Sequence, residues 1–428
     1  MILMNANEGQ KGAWYTVFVM NRALFLLLVS FCGSAVAVGF SVSVSREFSF
    51  ADVRDLAASV FFVDSVTADG LKQKYARAAQ GGGKVRILIV PGHDNGSSGA
   101  EFRGVHEAEM TAAVGEELSR LLSSDRRYAP TLARTRADYA KEFRDYFTVE
   151  RDSVRAFVAN KRQVMKDLRN ASMVRREQGV AHNAAPSDVV WKLYSFNRWA
   201  NENKIDIVLH LHFNDYPGRS SHRPGRYEGF ALYVPETQFS NARASAALAK
   251  SLFAQFARFY AESNFPLEES GIVPDQDLIA VGAYNTLDSA AVLIEYGYIY
   301  EQRFLDAAIR EKHMKELAFQ THLGLNRFFG AFEEALRKYP TTFLPHEWST
   351  PLGEGARNQP SVLSLQAALL LEELYPPEGD KRACPLTGSF GHCTRRALVA
   401  FQQKHGIAPA SGAVDVGTRA KLNELYGR

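Results

Sequence analysis

The stretch Val85-Arg86-Ile87-Leu88-Ile89-Val90-Pro91-Gly92-His93-Asp94-Asn95-Gly96 decides how the chain is read. A branched apolar run closed by Pro-Gly has the pattern of a buried strand. The glycine-flanked loop behind it is suited to aim an imidazole, His93, at a site. A helix follows, because Met110, Ala113, Val114, Leu118, Leu121 and Leu122 recur at helical spacing, with Glu107 one turn upstream on the same face. Three more apolar runs, 205–212, 229–234 and 290–295, read as strands, and helical patterns over 242–260 and 304–337 lie among them. Strands alternating with helices predict an α/β domain whose mostly parallel sheet is covered by helices on both faces. In such sheets functional groups gather at the C-terminal ends of the strands.

The rest of the chain frames that domain. With 428 residues, two or three domains are expected. Hydrophobic residues at 46% and charged residues at 23% describe a globular protein with a full core. The charge balance, 50 Lys+Arg against 47 Asp+Glu, lacks the basic excess of a nucleic-acid-binding protein, so no nucleic-acid partner is expected. Residues 1–45 read as a signal peptide or membrane anchor. Lys11 and Arg22 precede an uncharged apolar run, 23–40, and Ala35-Val36-Ala37 offers a cleavage site. The run is also nearly long enough to span a bilayer. Both versions export the body of the protein to the periplasm or cell envelope, the second leaving it anchored to the inner membrane. Phe31 before Cys32 argues against lipidation. A lead-in occupies 46–84, the catalytic body 85–337 with a polar helical insertion over 138–191, a Pro/Gly-rich linker 338–359, and a small all-α module 360–428. Cys384 and Cys393 are a close pair and are expected to form a disulfide in an oxidising compartment.

Four residues carry the chemistry. His93 follows the first strand, Glu107 opens the next helix, His212 closes the second strand, and Glu295 closes the last. Two histidines and a carboxylate form a three-ligand catalytic zinc site, and a second carboxylate can move protons for the attacking water. His210 shares a strand face with His212 and is a rival ligand. His106, Glu109 and His222 read as solvent-facing.

Pro91-Gly92-His93-Asp94-Asn95-Gly96, Val105-His106-Glu107-Ala108-Glu109-Met110, His210-Leu211-His212-Phe213-Asn214-Asp215 and Val292-Leu293-Ile294-Glu295-Tyr296-Gly297-Tyr298 together resemble the ordered motifs of the family-3 N-acetylmuramoyl-L-alanine amidases. The resemblance implies His93, Glu107 and His212 as Zn2+ ligands and Glu295 as general base and acid. Asn214, at the motif spacing after His212, is the expected substrate contact. The bond cut would join N-acetylmuramic acid to L-alanine. Two departures stand out: Asp94 where a glycine is common, and the 138–191 insertion. The insertion is either a lid moved by a protein activator or a solvated decoration. Residues 360–428 resemble a three-helix peptidoglycan-binding domain, making peptidoglycan the expected partner. A zinc peptidase acting on the stem peptide and a non-catalytic wall-binding protein remain alternatives.

Overall fold

Strand β1 (Val85–Pro91) is buried at every position except Arg86, as its apolar run requires. It lies in a six-stranded sheet with β4 (Tyr128–Leu132), β5 (Ile207–Asn214), β6 (Ala231–Pro235), β7 (Ile272–Asp275) and β8 (Ala290–Tyr298), in the order β4-β1-β5-β8-β6-β7. A two-stranded hairpin, β2 (Glu101–Phe102) and β3 (Val105–His106), follows β1. The computed structural model describes residues 64–427 except 178, 181–186, 217, 221 and 282–287. The expected export segment, 1–45, lies outside the described residues, as do Cys32 and the 23–40 run. No helix among the described residues is long and apolar enough to cross a membrane.

Strands β4, β1, β5 and β8 run parallel. Strand β6 pairs antiparallel with β8. The reason is local: the described residues of the connection from β5 to β6 form no helical crossover, so the chain re-enters from the end of the sheet it left. A crossover helix, α6 (Ala242–Phe259), restores a parallel β6–β7 pair. The sheet is therefore mostly parallel and mixed at one edge.

Alternation along β5 assigns its two faces. Ile207, Leu209, Leu211 and Phe213 enter the main core with Leu118 of α2 (Glu107–Ser123), Leu248 of α6 and Leu317 of α7 (Ala307–Phe328). Val208 turns to the other face, where it meets Phe143 of α3 (Lys141–Val149) and Phe196 and Trp199 of α5 (Ser187–Glu202). His210 and His212 share the Val208 side. The 138–191 insertion folds into α3 and α4 (Arg151–Asn170), and the first of these helices covers the face from which His212 projects. Met165 and Leu168 of α4, with Val174 just beyond it, pack against Phe239.

After the one-turn helix α8 (Phe332–Ala335) come α9 (Pro360–Leu371), α10 (His392–Lys404) and α11 (Val416–Tyr426). The stretch read as a linker, 338–359, is built into the interior: Tyr339, Phe343, Leu344, Trp348 and Leu352 are buried. Ser364 Oγ donates to the Phe343 carbonyl at 2.8 Å, and Trp348 Nε1 donates to the Ser361 carbonyl at 3.0 Å. One hydrophobic core runs from β5 and α7 to Leu363 and Phe401. A disulfide joins Cys384 to Cys393 with the Cα atoms 6.0 Å apart.

Candidate metal centre

The Gly92 amide donates to the Leu211 carbonyl at 2.8 Å and pins the loop after β1 against β5. His93 then adopts a left-handed φ of 61°, uncommon for a residue with a side chain. Two glycines leave room for the side chains that converge there. A Cβ on Gly92 would lie 2.3 Å from the His212 ring, and one on Gly99, itself at φ +74°, would lie 2.5 Å from Glu107 Oε2 and 2.6 Å from the His93 ring. The loop is braced from beneath by Arg134, buried at 2% exposure. It donates to the Gly92 carbonyl, the Ala108 carbonyl and Thr111 Oγ1 at 2.8, 2.8 and 2.9 Å.

Glu107, the first residue of α2, sits between the two imidazoles. Its Oε2 is 3.1 Å from His93 Nε2, and its Oε1 is 3.0 Å from His212 Nδ1. Backbone amides orient the carboxylate further: Ala100 N donates to Oε2 at 2.9 Å and Phe213 N to Oε1 at 3.0 Å. One ligand atom from each of His93, Glu107 and His212 lies within 4.8 Å of the others. Among the described residues this is the one His/Cys/Asp/Glu group placed to hold a metal ion.

The electrostatics suit a cation. Burial by itself would raise the Glu107 carboxyl, but the charge of His93 and hydrogen bonds from both imidazoles hold it far below the usual carboxylate range. Burial lowers His212, favouring the neutral ring that a metal needs. Burial would also lower His93, yet Glu107 outweighs it and draws that ring upward.

Glu295 is the register partner of His212 on the adjacent parallel strand, so both side chains leave the same face. Its Oε2 is buried and has no hydrogen-bond partner among the described residues. Burial, then the charges of Glu107 and Glu268, push its carboxyl well above the ordinary range. All four residues line a cavity of about 360 Å³, with Asn214, Tyr216, Tyr233, Glu268 and Tyr298 along its walls and Val180, from the 138–191 insertion, at its border.

The rival His210 lies between Val90 and Leu293 in the sheet register. Fully buried, it is pushed down to about 3 by burial and by His212, and it stands apart from the three-residue cluster. His106 reaches only Glu101, at 4.0 Å, while Glu109 and His222 are exposed. Asp94 does not loosen the loop. Its Oδ1 accepts from the Gly96 and Ser97 amides at 2.9 Å each, and its Oδ2 meets Tyr139 OH at 2.9 Å and the Lys192 ammonium. The metal loop is thus tied to the start of the insertion and to α5.

Sequence reasoning did not find Arg134, Gly99, Glu268, Tyr233 or Tyr298. Tyr298 closes the Glu295 motif without a role being read from it, and no spacing relates the other four to the motif residues, because they meet the site through the sheet's cross-strand neighbours and the turns at its edge.

A family model described as N-acetylmuramoyl-L-alanine amidase matches residues 87–327, more than half of the chain. One for a peptidoglycan binding domain matches residues 358–422. No curated protein matches. Among solved structures, the chain is similar to the CwlD amidase of Clostridioides difficile, solved in complex with the GerS lipoprotein, at 15% identity and TM-score 0.37, covering 58% of this chain and 99% of that one. It is also similar to the amidase Ami1 of Mycobacterium smegmatis, at 14% identity and TM-score 0.36, covering 58% of this chain and 100% of that one. The amidase AmiC2 of Nostoc punctiforme is a third, at 15% identity and TM-score 0.33, covering 59% and 98%.

Proposed function

The chain belongs to the N-acetylmuramoyl-L-alanine amidase family, and we propose that it is a zinc-dependent member that hydrolyses the amide between N-acetylmuramic acid and L-alanine in peptidoglycan. The observation that carries the zinc reading is the convergence of His93, Glu107 and His212 within 4.8 Å, beside Glu295. Two imidazoles and one carboxylate are the donor set of a catalytic zinc site, and the buried His93 Nδ1 has no partner among the described residues that would compete for the ring's orientation. A zinc ion held there supplies Lewis-acid polarisation of a carbonyl and a more acidic water.

The chain's own groups do the remaining work. Glu107 contributes charge to the ligand set, while Arg134 and the Gly92 contact with β5 fix the loop that carries His93. Glu295, in a dry environment that raises its proton affinity, accepts a proton from the attacking water and returns it to the departing alanine amine. Burial suits it to that double role, since a base of ordinary carboxylate strength holds a proton too weakly near neutral pH. The helical module matched over 358–422 supports peptidoglycan as the partner. A wall substrate agrees with export to the periplasm or cell envelope, by cleaved signal or inner-membrane anchor. Val180 at the cavity border supports the insertion as the place where a protein activator would act.

The test is mass spectrometry of products released from purified peptidoglycan by the full chain, with and without a chelator. Free stem peptides bearing an L-alanine amine, lost on chelation and restored by zinc, are the expected result. Shortened stems still attached to muramic acid would overturn the reading in favour of a stem-peptide peptidase.

A further inference from the structure

Glu268, in the turn between α6 and β7, is 2% exposed and lines the same cavity as Glu295 and Asn214. Four donors converge on it. Oε1 accepts from Asn214 Nδ2 at 2.9 Å and Tyr233 OH at 2.5 Å; Oε2 accepts from Ser263 Oγ and from Tyr298 OH at 3.2 Å. A carboxylate has only acceptors to offer, so these contacts set which end of each partner faces it. For Asn214 the consequence is complete. The carboxamide oxygen accepts from the Asp215 amide at 2.9 Å, and one N–H is committed to Glu268, so the group cannot turn over without losing both bonds. The second N–H has no acceptor among the described residues, and Asn214 lines the cavity.

We propose that Glu268 is a positioning residue: it clamps the Asn214 carboxamide so that its remaining N–H is presented as the donor to the carbonyl oxygen of the scissile amide. The inference rests on the amidase reading above. Attack on an amide builds negative charge on that oxygen, and a donor fixed beforehand stabilises it without reorganising. The same carboxylate takes up the Tyr233 and Tyr298 hydroxyl hydrogens. The wall then shows a donor at Asn214 and an acceptor-bearing edge at Tyr298, a pattern matched to an amide's C=O and N–H.

The experiment uses the zinc-loaded full chain and a soluble muramoyl-peptide, reading kcat, KM and zinc content separately. Glu268→Gln supplies an amide that can donate where only acceptance is tolerated. It is expected to lose about 10²-fold in kcat, the scale of one such donor, with KM within a few-fold and zinc retained. Asn214→Ala should lose a similar factor. The double variant should be no worse than either single one, because both remove one interaction. Turnover of Glu268→Gln within twofold of the parent, or losses that multiply in the double variant, would overturn the proposal. Should Glu268→Gln fail to fold, Asn214→Ala, which leaves Ser263, Tyr233 and Tyr298 on Glu268, decides alone: unchanged kcat overturns it. If the parent itself releases no stem peptide, the amidase reading has failed. A crystal structure of Glu268→Gln then judges the clamp, with a rotated Asn214 supporting it and an unmoved one overturning it.

Discussion

Glu295 Oε2 is shielded and unpartnered among the described residues, in a protein where buried carboxylates are otherwise well satisfied; Glu268 and Glu107 accept several hydrogen bonds each. Leaving such a group unmade costs about 1–3 kcal/mol, and in the proposed mechanism a reacting water would offset it. Glu295→Gln is therefore expected to bind zinc normally and lose at least about 10²-fold in kcat, the lower end for a general acid-base group. Activity within threefold of the parent at full zinc occupancy would remove Glu295 from the chemistry. Gly92 is a constraint of a different kind. With a methyl group 2.3 Å from the His212 ring, Gly92→Ala must displace either the loop or the ligand. Zinc binding weaker by roughly 10–100-fold is expected, as for losses of ligand support generally, measurable by competition with a chromogenic chelator. The motif spacing marks Gly92, yet the reason for it becomes visible only when β1 and β5 lie side by side.

At the scale of elements, the insertion is coupled to the metal loop rather than hung from the surface. Asp94 receives Tyr139 from the start of the insertion and Lys192 from α5 just past its end, and Arg169 of α4 reaches Asp277 at 3.0 Å beyond β7. Lys192→Met should leave Asp94 short of its charged partner and cost roughly 1–3 kcal/mol of stability in urea denaturation. An unchanged midpoint would show that Tyr139 and the loop amides suffice. Helix α7 carries a second device. Burial pushes His322 down to about 4 against an ordinary value of about 6.5. Between those two values the unfolded chain binds a proton there that the folded chain does not. The stabilising contribution is thus complete above about pH 6.5 and is lost as pH falls toward 4, at about 1.4 kcal/mol per pH unit. His322→Gln should flatten the fall in Tm over that window; identical slopes would assign acid sensitivity to other groups.

For the whole molecule, the decisive fact is the single core shared by the amidase body and the C-terminal helices. A flexible tether would raise local concentration at the wall and leave the catalytic domain independent. Here Tyr339, Phe343, Leu344 and Trp348 are buried, and Tyr339 OH donates to the Leu425 carbonyl at 2.8 Å. Each large apolar side chain of this kind contributes about 1.5–3 kcal/mol when buried. A chain ending at Arg337 should therefore be poorly soluble or melt many degrees lower than the full chain. A truncated form with unchanged Tm and activity on soluble substrate would show that the shared core adds nothing. If the coupling holds, wall binding and catalysis occur in one fixed orientation.

Local pattern determined the parts of this protein that depend on neighbours along the chain. Continuous branched apolar runs located β1, β5 and β8, helical spacing located α2 and α6, and the order of four short motifs pointed to His93, Glu107, His212 and Glu295. Those signals survive in one dimension because a strand buried on both faces is a short unbroken apolar run and a helix stripe repeats at fixed intervals. Tertiary structure decided what depends on distance across the fold. It separated His212 from His210 by placing only the former at the Glu107 carboxylate, turned β6 antiparallel because the described residues of its loop form no crossover, and folded 338–359 into the core. It also gathered Glu268, Tyr233, Tyr298 and Asn214 from four separate segments. Contacts between residues dozens of positions apart have no period to betray them, and only the closed sheet and its packed helices bring them within a hydrogen bond's reach.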